Sequence, residues 1–205
     1  MRLHRIVFLL LFGVACGALS GTPAEAVDAP QNAQTGFGLE QLMAAFGQIK
    51  SAEARFMERK YLSLLNAPLE SSGTLVYVAP DRLEKRTLLP KPESFVIDRG
   101  ELTIEGVPGQ RRRTMRIQNY PELAAFVESI RATLAGDVQT LRRFYDVRLE
   151  GSADDWKLIL RPTAQRMQRA IKNITLGGSN AKLHTVEIEE ADGDRSIMTV
   201  VADSP

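Results

Sequence analysis

Two hydrophobic periodicities share this chain. Leu39, Leu42, Met43, Phe46 and Ile49 recur at i, i+3, i+4, i+7 and i+10, which places them on one face of a helix of about three turns. A second run starts at Pro121, a residue suited to a first helical turn, and continues through Leu123, Phe126, Val127, Ile130 and Leu134 to Gly136. Asp137 is placed to cap a shorter helix toward Leu141.

Much of the remainder alternates with period two. Tyr145, Val147 and Leu149 oppose Asp146, Arg148 and Glu150; Trp156, Leu158 and Leu160 oppose Lys157 and Arg161; Met115 and Ile117 oppose Thr114, Arg116 and Gln118. Such strands are wet on one face. Further strands are predicted over 52–61, 73–79, 82–89, 94–98, 101–105, 170–176, 183–189 and 196–201, with turns at Asp98-Arg99-Gly100, Gly177-Gly178-Ser179-Asn180 and Ala191-Asp192-Gly193-Asp194. Connections this short force antiparallel pairing. About ten or eleven such strands outnumber what three short helices can cover flat. The expected class is therefore α+β: an incomplete, open antiparallel barrel wrapped around short helices.

The first residues read as an address. Arg2 and Arg5 precede the uncharged run from Ile6 to Leu19, which is short of the ~20 residues of a membrane span. Ala24-Glu25-Ala26 offers a small-x-small cleavage pattern, so residues 1–26 are expected to be a cleaved secretory signal; Ala18-Leu19-Ser20 also fits. Gly13-Val14-Ala15-Cys16 approaches a lipobox, with Gly13 where Leu is usual, and leaves a lipidated Cys16 as the alternative. Residues 27–38 read as a flexible leader, residues 39–205 as one domain, and the periplasm as the destination.

Composition narrows the chemistry. Of 205 residues, 26 are Lys or Arg and 25 Asp or Glu; loss of the signal takes Arg2, Arg5 and Glu25 and leaves 24 of each, giving nothing to recommend a nucleic-acid partner. The sole cysteine leaves with the signal. His184 remains as the one histidine, on a strand with Val186 and Ile188, where a partly buried structural role is expected. Gly177 to Ala181 lacks the final glycine of a nucleophile elbow. The acidic group Glu187, Glu189, Glu190, Asp192 and Asp194 lacks the register of a calcium loop and is read as a solvated strand edge and hairpin. No enzyme, metal or cofactor is predicted. Arg111, Arg112 and Arg113, with Arg116, form either a solvated strand end or a docking patch for an acidic partner or anionic head group.

One stretch carries a resemblance. An opening helix is followed by Phe56-x-Glu58-x-Lys60, then Ser72-Gly73-Thr74-Leu75 with Ala79-Pro80, then the turn from Asp98 to Leu102; Trp156-x-Leu158-x-Leu160-x-Pro162 follows later. In this order they resemble the periplasmic outer-membrane lipoprotein carriers, the LolA-like proteins. Ala79 stands where those carriers have an arginine that ties a helical lid to the barrel, and Lys85 and Thr103-Ile104 replace usual aromatics.

The resemblance implies a monomeric carrier whose apolar cavity shields acyl chains of a lipoprotein or other lipid between an inner-membrane donor and an outer-membrane acceptor. A lipidated acceptor of the same fold and a non-catalytic binding module are the alternatives. Candidate cavity residues are Phe56, Leu75, Tyr77, Phe95, Ile97, Met115, Ile117, Trp156, Leu158 and Leu160, any of which can equally be plain core. Met43 and Phe46 are candidate lid residues, and Arg111 to Arg113 the candidate docking residues.

Overall fold

A computed structural model describes residues 37–106 and 112–202. Eleven antiparallel strands form one sheet: β1 (Ser51–Tyr61), β2 (Leu69–Val78), β3 (Arg82–Leu89), β4 (Glu93–Asp98), β5 (Glu101–Glu105), β6 (Arg113–Arg116), β7 (Tyr145–Ser152), β8 (Asp155–Pro162), β9 (Ile171–Ser179), β10 (Lys182–Glu190) and β11 (Arg195–Ala202). Their order in space is β6-β5-β4-β3-β2-β1-β11-β10-β9-β8-β7. Every pair in the sheet joins sequence neighbours except at the centre, where β1 meets β11. Two meanders thus grow outward from the middle as two wings. The outermost strands, β6 and β7, do not pair with each other, so the expected open barrel is what forms.

One helix precedes β1, two connect β6 to β7, and a short one joins β8 to β9. They are α1 (Leu39–Phe46), α2 (Pro121–Ala135), α3 (Val138–Phe144) and a single turn, α4 (Gln165–Gln168), which the sequence pattern did not predict. α1 is shorter than its apolar spacing suggested because Gly47 ends it, and Ile49 closes a turn by donating to the Phe46 carbonyl at 2.9 Å. Pro121 occupies the first turn of α2, and Gly136 ends it at φ 72°, a left-handed conformation that glycine adopts without strain. A Cβ at Gly136 would also collide with the Met43 carbonyl, so this glycine allows α1 and α2 to cross closely. Asp137 Oδ1 accepts from the Thr140 N–H at 2.9 Å and caps α3, as its sequence position predicts.

Two details depart from the alternation. Met115 is the last inward residue of β6, and Ile117 begins a 3-10 turn (Ile117–Asn119) instead of extending the strand, because its N–H donates to the Gly100 carbonyl at 2.9 Å. β9 runs through Gly177 and Gly178 to Ser179, leaving the turn to Asn180 and Ala181. A Cβ at Gly178 would strike the Trp156 ring, so the glycine there makes room for the indole. Residues 1–36 and Arg111 lie outside the described residues; of the leader predicted over 27–38, Phe37 packs against the core and Gly38 starts α1.

Candidate functional site

Two apolar clusters line the inner face of the sheet. The first joins Leu42, Met43 and Phe46 of α1, Leu141 of α3 and the inward residues of β7 to β10, among them Trp156, Leu158 and Leu160. Phe46 meets Trp156 edge to face, with centroids 5.8 Å apart, and the indole N–H donates to the Asn180 carbonyl at 2.9 Å. Trp156 and Leu158 have no exposed surface. The second cluster is smaller: Phe95, Leu102, Ile104, Met115 and Ile117 under Leu123 and Val127 of α2, with Ile97 packed against it.

A polar seam separates them. On β1 the inward residues are Phe56, Glu58 and Lys60, all buried. The Glu58 carboxylate, 2% exposed, accepts from Lys85 Nζ at 2.7 Å, Ser196 Oγ at 2.7 Å and Ser71 Oγ at 3.3 Å, with Lys60 Nζ at 3.7 Å. Burial pushes this carboxyl up, but Lys85 and Lys60, helped by the hydrogen bonds, more than offset it and hold it below its ordinary value. Lys85 also stands over the Phe56 ring, 5.0 Å from its centroid. Burial brings Lys60 down to about 8 against the pull of Glu58, and pushes Glu190 up to about 7 with help from Asp192 and Asp194. Glu190 and Asp194 are buried, and Asp194 Oδ1 accepts the Ser63 N–H at 2.7 Å. The acidic group expected to be a solvated edge is therefore partly interior, because the hairpin folds under the sheet's polar end.

Beside the second cluster lies a cleft of about 630 Å³. Its apolar wall is Ile97 of β4, Ile117 of the 3-10 turn, and Ala124 and Val127 of α2. Its rim is charged: Asp81 in the β2–β3 turn, Arg99 and Glu101 at the β4–β5 turn, Arg116 at the end of β6, and Glu128 and Arg131 on α2. The tight β4–β5 turn uses positive φ at Arg99 (48°) and Gly100 (77°). Arg131 Nε donates to Glu128 Oε2 at 2.9 Å, and a terminal nitrogen of the same guanidinium meets the other carboxylate oxygen. That bidentate contact lowers the Glu128 pKa and raises that of Arg131.

Of the candidate cavity residues, Ile97 and Ile117 line the cleft. Phe95 and Met115 stand behind it in the second cluster, and Tyr77 and the half-buried Leu75 lie on the inner face of β2. Trp156, Leu158 and Leu160, with the lid candidates Met43 and Phe46, sit together in the first cluster, and Phe56 sits at the seam. Arg112 is exposed and pairs with Glu105 at 2.9 Å, while Arg113 opens β6 opposite Ile104. His184 is exposed, its Nε2 2.8 Å from Ser179 Oγ, where partial burial was expected. No group of three potential metal ligands occurs among the described residues, and no helix among them is long and apolar enough to cross a membrane.

Sequence reasoning missed Arg131, Glu128 and Asp81. The i,i+3 spacing of Glu128 and Arg131 was a usable signal, since both flank the apolar stripe of α2. Asp81 carried none. The departures from the carrier pattern acquire positions: Ala79 donates its N–H to the Lys50 carbonyl at 2.9 Å, Lys85 caps the buried Glu58, and Ile104 belongs to the second cluster.

Comparison with known proteins bears on the whole chain. A family model described as outer membrane lipoprotein carrier protein LolA-like matches residues 24–204. No curated protein matches. Among solved structures, a LolA superfamily protein from Nitrosomonas europaea superposes with a TM-score of 0.42 at 10% identity, covering 82% of this chain and 94% of that one. A putative outer membrane lipoprotein-sorting protein domain from Vibrio parahaemolyticus gives 0.42 at 12%, covering 82% and 91%. The Pseudomonas aeruginosa MucA/MucB complex gives 0.41 at 16%, covering 82% of this chain and 57% of that one. Superpositions this loose carry no argument of their own, whereas the family match spans nearly the full sequence. The chain belongs to the outer membrane lipoprotein carrier protein LolA-like family.

Proposed function

We propose that the protein is a periplasmic carrier that holds the acyl part of a lipoprotein or other lipid in the cleft between α2 and strands β4 to β6 during transfer from inner to outer membrane. The observation that carries this reading is the cleft itself: about 630 Å³ of open space against an apolar wall. That volume lies within the range of ~300 to 1,000 Å³ of small-molecule sites. Each methylene moved from water to an apolar wall gains ~0.8 kcal/mol, so burial alone suffices to escort a chain through water, and no catalytic group is required.

The wall is short and its rim is wet, which keeps the hold modest. A carrier needs that, because cargo bound at full strength does not pass on to an acceptor. The reading takes residues 1–26 as a cleaved export signal, which would deliver the domain to the periplasm. Arg112 precedes β6 and Arg113 opens it, and they are the proposed docking residues for donor or acceptor.

The direct test is to fill the space. Ala124→Trp puts an indole into the cleft from α2. A fluorescent acyl probe should bind the parent protein and lose at least ~10-fold in affinity in the variant, with unchanged circular dichroism. Equal binding by both proteins would move the site elsewhere, and no binding by the parent would end the carrier reading.

A further inference from the structure

The end of the sheet away from the cleft carries an apolar tip. Because neighbouring strands are antiparallel, the β1–β2 and β3–β4 connections share one end, whereas the β2–β3 and β4–β5 turns that rim the cleft share the other. From Leu62 to Leu69 the chain holds no charged residue, and Leu64, Leu65 and Leu69 are exposed, Leu64 to 72%. Leu88 and Leu89, the latter 64% exposed, finish β3 beside it, just before Pro90. A single exposed leucine needs no explanation, but a group of them at one end of a sheet is the kind of patch that marks an interaction surface.

The base of the tip is held in place. Leu62 is buried, the Ser63 N–H donates to Asp194 Oδ1 at 2.7 Å, and the Leu65 N–H donates to the Leu62 carbonyl at 3.0 Å. These contacts order the start of the connection while Leu64 stays in water.

Residue type and charge choose the occupant. Hot spots between proteins favour Trp, Tyr and Arg, with leucine under-represented, and Tyr61 at the end of β1 is already covered by the Arg195 guanidinium, 4.8 Å from its ring centroid. Acids beside the tip have partners: Glu70 with Arg59 at 2.9 Å, Glu105 with Arg112 at 2.9 Å, Glu93 with Thr87, and Asp192 Oδ1 with the Asp194 N–H at 3.2 Å. Lys91, exposed in the β3–β4 connection, has no partner among the described residues. Leucines on an outward loop with a spare cation at their side match a lipid surface, where acyl chains take the leucines and anionic head groups take the lysine.

We propose that the tip formed by Leu64, Leu65, Leu69, Leu88 and Leu89 enters the head-group region of a phospholipid bilayer, with Lys91 among anionic head groups, so that the protein docks on a membrane by the end opposite its cleft. The proposal does not depend on what the cleft holds.

The test floats residues 27–205 with vesicles of palmitoyl-oleoyl phosphatidylethanolamine and phosphatidylglycerol. The parent should bind, and the double change Leu64→Ser with Leu65→Ser should weaken binding by roughly ten-fold or more, as two leucines withdrawn from acyl chains require. Lys91→Gln should weaken it by roughly five-fold, a difference that disappears at ~1 M salt while the leucine effect persists. Ala124→Trp, which fills the cleft, should bind vesicles as the parent does. Leu64→Trp should shift its emission to the blue on vesicles and be quenched by brominated acyl chains, whereas Met57→Trp, on the outward face of β1, should do neither; Trp156 is wholly buried and gives a constant background. A parent that does not float, a serine variant that floats undiminished, or a Leu64→Trp that brominated lipid leaves unquenched would each overturn the proposal. So would loss of floating in Ala124→Trp, which would give the membrane contact to the cleft, or a dimer of the parent that the serine variant dissociates, which would make the tip a contact between copies.

Discussion

The two wings of the sheet are built from the same kind of strand, yet one packs its cluster under three helices and the other has an open cleft beside its cluster. Over β7 to β10, three helices contribute Leu42, Met43, Phe46, Ala132 and Leu141, and Trp156 fills what is left between them. Over β4 to β6, among the described residues, Leu123 and Val127 of α2 and Ile117 of the 3-10 turn join the cluster, and the cleft lies beside it. Cavity and core therefore differ in helical cover more than in strand composition. The seam of Glu58, Lys60 and Lys85 between them marks where apolar packing from either side stops, and its ion pairs satisfy charges that neither cluster could accept.

Substitutions can break this contrast in order of size. Trp156→Ala removes the centre of the first cluster and should destabilise the protein by ~3–5 kcal/mol in denaturant melts, since the surrounding strands cannot collapse into the space. Lys85→Met leaves Glu58 buried without its closest cation and should cost a comparable ~3–5 kcal/mol, while the double change with Glu58→Gln should recover a large part of that loss. A smaller loss from Lys85→Met would show that water reaches the seam.

Glu190 sharpens the contrast through pH. Its pKa is raised from 4.5 to about 7 in the folded protein, so the stability it contributes is complete below 4.5 and lost as pH rises through 7. Glu190→Gln should therefore melt higher than the parent above pH 7, by on the order of 2–4 °C if the difference is about 1 kcal/mol, and the gap should shrink as pH falls toward 4.5. Thermal melts from pH 4 to pH 8.5 read it. Val127→Ala should have a small effect, ~1 kcal/mol, because the two methyl groups lost beside open space enlarge an existing void instead of creating a sealed one.

The strands were legible by their period, and α2 and α3 by explicit boundaries: Gly136 ends α2 at positive φ, and Asp137 starts α3 as its N-cap. Ile117 misled because it keeps the alternation of Met115 while its N–H is claimed by Gly100 from another turn. α4 is one turn with no room for periodicity. The seam was hidden for a different reason. Phe56, Glu58 and Lys60 share a face by parity alone, and only the position of Lys85 on β3 shows that charged residues can lie inward there. Period two tells which residues lie together, not which face is dry. The cleft was equally invisible, since Ile97, which lines it, and Trp156, which is wholly buried, both sit on alternating strands and differ only in what the rest of the fold places beside them.

The central claim is that the cleft beside α2 carries acyl lipid. Protein purified gently from the periplasm, the compartment proposed for it, should retain such a lipid, approaching one per chain by solvent extraction and mass spectrometry, and Ala124→Trp purified in parallel should lose it. A parent protein that is consistently empty, or a lipid load that Ala124→Trp leaves unchanged, would contradict the account.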